Sequence, residues 1–167
     1  MKITVPSEVS TVLLAGIALD TNNFTNRTTG RTFYAAYLLT NNGATVKKAQ
    51  EYLKDDIKSY LREQDAVRSS EVYKEVAIIV CDENKRYSRQ TLAKIADKLL
   101  QFKTIEASIV IGLLEEGQIG VSARSIGNIK IGKLLETFDG GGTDTSAAAI
   151  IQSGSLLEAK NNIISLI

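Results

Sequence analysis

Three stretches carry residues whose types and spacing could do chemistry. The first is Thr137-Phe138-Asp139-Gly140-Gly141-Gly142-Thr143-Asp144-Thr145-Ser146-Ala147-Ala148-Ala149. Three successive glycines are not expected inside a helix or a strand, because each loses the most backbone entropy on folding. They are expected in a turn, where positive φ is accessible and another group can approach the main chain. Consecutive amides in such a turn can converge on an anion, and the small residues that follow leave the concavity open. The second stretch is Gly120-Val121-Ser122-Ala123-Arg124-Ser125-Ile126-Gly127. It reads as a strand ending in Arg-Ser, and the guanidinium is a planar fork suited to phosphate or carboxylate. The third is Asp20-Thr21-Asn22-Asn23-Phe24, a polar turn carrying one carboxylate. Taken singly, each also fits something plainer: a flexible connector, a solvated strand-end arginine and an Asx-type turn.

Helices and strands must position these groups. Ser7 can cap a first helix, in which Val9, Val12, Leu13, Gly16 and Ile17 follow helical spacing with further apolar residues on other faces. A helix apolar on most sides is expected to be buried on most sides. Thr32 to Leu39 reads as a second helix stopped by Asn42-Gly43. Thr45 can cap a third, whose face Val46, Ala49, Leu53, Ile57 and Leu61 has a break near Asp55-Asp56, an acidic pair read as a solvated helix start. A polar stretch follows, and the domain boundary is placed near Ser69-Ser70. Beyond it, Val76 to Cys81 reads as a buried strand. Ser88 caps a helix with the face Leu92, Ile95, Ala96, Leu99 and Leu100. Ser108 to Leu113 and Gln118 to Ala123 form a hairpin about Glu115-Glu116-Gly117. Ile129 to Phe138 is a short helix before the glycines, Ala147 to Ile151 a last strand, and Ser155-Leu156-Leu157-Glu158 a capping box opening a final helix. The expected fold class is α/β: a helical segment over residues 1–69, then a mixed sheet layered with helices over residues 70–167.

Composition narrows the chemistry. The chain has 167 residues, 20 basic and 19 acidic side chains and a net charge of +1. That balance argues against duplex DNA and against an anionic membrane as partners, but not against a local pocket for a small anion. There is no histidine, which removes Ser-His and Cys-His nucleophiles and every histidine metal site. Cys81 is the sole cysteine and lies in an apolar run, so it is expected to be a buried thiol in a reducing compartment. The apolar run from Val12 to Leu19 is too short to span a bilayer. A cytoplasmic location is expected.

Two of these stretches together resemble a known family. Ser122-x-Arg124-Ser125, followed by Gly140-Gly141-Gly142 and an Ala-Ala pair, is similar to the substrate-binding lobe of the DHH (Asp-His-His) phosphoesterases. The resemblance implies that Ser122, Arg124, Ser125, Gly140, Gly141, Gly142 and Thr143 hold a nucleotide. Thr143 departs from the family, which usually has histidine there; a hydroxyl can bond a phosphate but carries no positive charge. Ala15-Gly16-Ile17-Ala18-Leu19-Asp20-Thr21-Asn22-Asn23-Phe24 resembles the last motif of the same family's catalytic lobe. By that resemblance Asp20 is one ligand of a two-manganese centre, and carboxylate oxygen suits such an ion. Asn26-Arg27-Thr28-Thr29-Gly30-Arg31-Thr32-Phe33 resembles the cyclic-di-AMP phosphodiesterase branch, with Arg27 and Arg31 as candidates to face an anionic substrate.

The Asp-His-His motif itself is not in the sequence. The resemblance therefore implies the C-terminal part of a manganese-dependent phosphodiesterase, a natural remnant or an excised piece that is inactive alone and binds no metal stably. The substrate implied is a cyclic dinucleotide or a short oligonucleotide, hydrolysed by a water activated between two metal ions. A second possibility stays open: a free-standing module that binds nucleotides or short single-stranded RNA without catalysis. A purely structural oligomerisation domain leaves the glycines and Ser122-x-Arg124-Ser125 without a task. The apolar first part is expected to be covered by self-association, giving a homo-oligomer.

Overall fold

The computed structural model describes residues 5–54, 56–152 and 154–167. It divides into two compact units, one up to Asp56 and one from Ile57 onward. In the first, α1 (Ser7–Asp20), α2 (Gly30–Asn41) and α3 (Val46–Tyr52) enclose a small core of Leu14, Ala15 and Ala49, with Phe24, Ala36, Leu39, Ala44 and Leu53 against it. Ser7 does not cap α1. It is the first helical residue, and Pro6 stands at the cap position, where its carbonyl accepts from the Ser10 amide at 2.9 Å. The fixed φ of proline suits a helix start. α2 begins before Thr32, with Thr29 and Thr32 bonded reciprocally as a capping box. After α1, Asn22, Asn23 and Phe24 all have φ between 46 and 64°. That conformation is natural for asparagine and strained for phenylalanine; the Phe24 amide is held by Thr21 Oγ1 at 3.0 Å and its ring stacks on Phe33.

The second unit opens with α4 (Ile57–Arg68), which buries Ala66 in the core beneath α5 (Arg89–Leu99) and ties the Glu63 carboxylate to Lys98 of α5. Side chains of α4 thus pack with the second unit, while the boundary expected near Ser69-Ser70 lies after this helix. Asp55 of the acidic pair lies outside the described residues. A six-stranded sheet follows, in the order β1 (Glu71–Tyr73), β2 (Val76–Val80), β3 (Ala107–Leu113), β4 (Ile119–Ser125), β6 (Ser146–Ile151) and β5 (Gly141–Gly142). β2 and β3 are parallel, with α5 in the crossover; the remaining neighbours are antiparallel. This is the mixed α/β class expected.

Period-two alternation sorts the sheet's side chains between two faces. Val76, Ile78, Ile109, Ile111, Val121, Ala123, Ala147 and Ala149 pack under α6 (Ile131–Glu136) and α7 (Leu156–Ile164). Ala77, Ile79 and Val110 lie in the core on the other face, with Ala66 of α4 and with α5, whose Leu92, Ile95, Ala96 and Leu99 are fully buried. Ser88 caps α5 by accepting from the Thr91 amide, and the buried Ser108 donates to Ala96 O at 2.8 Å. No described helix is long and apolar enough to cross a membrane.

Candidate nucleotide site

α5 covers β3 and part of β4, but within this unit no described helix covers the same face of β6 and β5. A cavity of about 790 Å³ lies there. Its floor is three cross-strand pairs, Gly120 with Ile150, Ser122 with Ala148, and Arg124 with Ser146. The small side chains explain why the floor stays open: Ala148 is exposed, while its neighbours Ala147 and Ala149 are buried in the opposite face. Arg89, Gln90 and Ala93 of α5 form one wall, and Asp139, Gly140 and Gly141 form the facing rim.

Arg124 lies within this cavity and is held in place. Its Nε donates to Asp97 Oδ1 at 3.0 Å, and Nη1 donates to Ala123 O at 2.9 Å and Ser122 Oγ at 3.3 Å. Only Nη2 lacks a protein acceptor among the described residues. The fork expected from the sequence is therefore partly spent, and two parallel bonds to an anion require Asp97 or Ser122 to let go.

The glycines do different things. Gly141 and Gly142 are the short edge strand β5, paired with Ala148 and Ala147, so the expectation that glycines in a row stay out of a strand is corrected here. An edge strand of two residues asks little of propensity. A Cβ on Gly140 would stand 2.6 Å from Ala148 O and 2.8 Å from Leu135 O, and one on Gly142, where φ is +148°, 2.2 Å from Ser146 O. A Cβ on Gly141 would meet nothing within 4 Å and would enter the cavity. The amides do not converge freely on an anion: Gly140 N donates to Leu135 O and Thr143 N to Ser146 O.

Ser122, Arg124, Gly140 and Gly141 thus line one cavity, whereas Ser125, Gly142 and Thr143 are not among its lining residues. Ser125 is buried at a sheet position of opposite parity to Arg124, and its Oγ accepts from the Gly127 amide. Thr143 is exposed, and its Oγ1 accepts from the Ser146 amide at 3.1 Å. Residues 69–167 match the DHHA1 domain. The chain belongs to the DHHA1 domain family.

Over 159 residues it is 38% identical to the cyclic-di-AMP phosphodiesterase PdeA of Listeria monocytogenes, covering 95% of this chain and 24% of that protein. Over 155 residues it is 35% identical to the cyclic-di-AMP phosphodiesterase GdpP of Geobacillus thermodenitrificans, covering 92% and 24%. The chain spans about a quarter of the length of these curated relatives. Among solved structures, an exopolyphosphatase-related protein from Bacteroides fragilis superposes with a TM-score of 0.79 at 17% identity, over 96% of this chain and 51% of that one. At that identity the likeness shows the fold alone. Together with the family match, the identities make this a domain related to DHH phosphodiesterases.

Asp20, in the first unit, is the C-terminal residue of α1, is 74% exposed and stands 4.0 Å from Arg27. Among the described residues no group of three or more Asp, Glu, Cys or His side chains comes together. One exposed carboxylate does not fit a metal centre by itself.

Sequence reasoning missed Arg89, Gln90, Asp97 and Asp139 of the DHHA1 domain. A signal existed for Arg89: directly after the Ser88 cap it places a cation at the positive end of a helix, which costs stability. Asp139 takes φ 55°, a left-handed conformation that aspartate adopts readily, so its residue type carried no signal. Nothing local points to Asp97, which meets Arg124 only through the tertiary fold. The DHHA1 domain thus presents cations at Arg89 and Arg124 around a flat floor of small residues, an arrangement suited to a thin, anionic organic ligand.

Proposed function

We propose that this chain supplies the nucleotide-binding lobe of a manganese-dependent phosphodiesterase acting on cyclic-di-AMP or short oligonucleotides, and that it is inactive alone. The observation that carries this is Gly141: the fold leaves room for a side chain there, yet the residue is glycine at the rim of the cavity that holds Arg124. The resemblance of Asp20-Thr21-Asn22-Asn23-Phe24 to a catalytic-lobe motif, and the similarity to two cyclic-di-AMP phosphodiesterases, support the substrate class. In the complete enzyme manganese would supply the activated water; Asp20 would be one ligand, and the rest must come from outside the described residues. This chain's own part is to grip the ligand, with Ser122, Arg124, Gly140 and Gly141 at the cavity and Ser125, Gly142 and Thr143 shaping the strand end and turn behind it.

The test is titration calorimetry of the full chain with cyclic-di-AMP, its linear product and AMP. Binding in the micromolar range, lost in Arg124→Ala, is expected. Retained binding in that variant, or none in the wild type, overturns the proposal. Cyclic-di-AMP with manganese present should not be hydrolysed, and turnover that disappears in Asp20→Ala refutes the inactivity. The free-standing module for nucleotides or short RNA remains the second possibility, favoured by the incomplete ligand set. Exposed Val12, Leu13, Leu19, Phe33, Tyr34 and Tyr37 of the first unit support self-association to a homo-oligomer, which sedimentation checks. A cytoplasmic location accords with the single buried thiol.

A further inference from the structure

Arg124 is engaged before any ligand arrives. Asp97 takes Nε, the β4 strand takes Nη1, and Nη2 alone is left without a protein acceptor among the described residues. The charged side chains around the cavity are Arg89, Arg124 and Asp139 on its lining and Asp97 behind Arg124. Cations and carboxylates are therefore balanced, which is unusual for a site that must hold a highly charged phosphate.

We infer that Asp97 is a positioning residue for Arg124 that makes this cavity select a singly charged phosphodiester over a doubly charged terminal phosphate; the inference rests on the nucleotide assignment above. The discrimination is electrostatic. The carboxylate occupies the Nε edge of the guanidinium, so the paired Nε–Nη2 contact is closed to a terminal phosphate and to a phosphodiester alike, and charge alone separates the two. It also places a negative charge 3.0 Å from Nε, on the edge that Nη2 shares. Each added negative charge on the ligand is attracted by Arg124 and repelled by Asp97, and the second charge of a monoester gains little. Asp97 is 55% exposed, so the repulsion is screened and the selectivity is modest. A phosphodiester can offer one of its two unesterified oxygens to Nη2 and, with a single charge, meets less of this repulsion.

The experiment compares AMP with its 5′-methyl phosphodiester by calorimetry on the full chain, at about pH 7.5, where the monoester carries nearly two charges. The two ligands share a nucleoside and differ by one charge. The wild type should bind the methyl ester tighter by about threefold or more. Asp97→Asn keeps an oxygen for Nε but removes the charge, so the preference should vanish while the ester still binds. Asp97→Ala removes the tether as well and should weaken both ligands. A wild type that binds AMP as tightly as the ester overturns the inference, and this comparison needs no variant to fold. An unchanged ratio in Asp97→Asn also overturns it. If the wild type binds neither ligand, the nucleotide assignment fails, and this inference with it.

Discussion

The three glycines can be separated by substitution, because the structure assigns them different constraints. Gly140→Ala would place a methyl group 2.6 Å from Ala148 O and 2.8 Å from Leu135 O, both main-chain atoms. Neither can rotate away, so β6 or the end of α6 must shift. Forced overpacking of this kind costs about 1–3 kcal/mol, and the upper half of that range applies because two carbonyls are met at once. Gly142→Ala adds a strained φ of +148° to a 2.2 Å approach to Ser146 O and should cost as much or more. Gly141→Val meets nothing in the protein. A β-branched residue in a strand, with less unfolded-state entropy than glycine, should leave stability unchanged or raise it by up to about 1 kcal/mol. Its side chain enters the cavity, so nucleotide affinity should fall at least about tenfold, equivalent to about 1.4 kcal/mol. Urea denaturation followed by circular dichroism gives the stabilities, and calorimetry gives the affinities. Wild-type stability in Gly140→Ala would refute the packing account. Undiminished affinity in Gly141→Val would show the triplet to be a connector.

Two further outcomes follow from titrating groups. Lys160 bonds Glu71 at 2.5 Å and ties α7 to β1. The bond from Lys160 holds the Glu71 carboxyl below its usual 4.5, and the same bond raises Lys160 above 10.5. The stabilisation from Glu71 is therefore present above about pH 4.5 and lost as pH falls through its lowered folded value, while that from Lys160 is present below about pH 10.5 and lost as pH rises through its raised one. In Lys160→Met, melting temperature followed against pH should lose part of both slopes, and an unaltered profile contradicts the coupling. Burial pushes the Cys81 thiol up to about 12, so at pH 8 an aromatic disulfide reagent should label it only as fast as the protein opens. Immediate stoichiometric labelling of the folded chain would place the thiol at the surface.

Much of the fold was legible because its strongest signals are local. Ser88 and the spacing Leu92, Ile95, Ala96, Leu99 define α5, and the apolar runs on either side of Glu115-Glu116-Gly117 define the β3–β4 hairpin. β1 was missed because Glu71-Val72-Tyr73 is a short edge strand, two of its residues exposed, with no apolar alternation. α4 lies before the expected boundary near Ser69-Ser70 and is polar over most of its surface, and what it adds to the core of the second unit is Ala66 beside an ion-paired Glu63. Of the site, Ser122 and Arg124 share a face by simple period-two counting. The same counting places Ser125 on the other face, so that position was readable in principle. Asp97 was not: its meeting with Arg124 depends on how α5 lies across the sheet, which no local pattern encodes.

α5 connects these observations. Its buried stripe fastens it to β3 and β4, and its ends and flanks then have fixed tasks: Arg89, Gln90 and Ala93 wall the cavity, Asp97 holds Arg124, and Lys98 holds Glu63 of α4. Asp97 and Lys98 are adjacent, so about 100° of rotation about the helix axis separates the bond that orients the ligand-facing arginine from the bond that anchors α4. A helix locked by Leu92, Ile95, Ala96 and Leu99, all under 3% exposed, cannot satisfy one bond while sliding out of the other. The hold on Arg124 is thus shared between the strand that bears it, through Ser122 and Ala123, and the core-anchored helix, through Asp97, while the open floor of β4 and β6 is a consequence of side chains too small to draw a helix over them. Both halves of the site, the fixed cation and the vacant face beside it, come from the placement of this one helix on half a sheet.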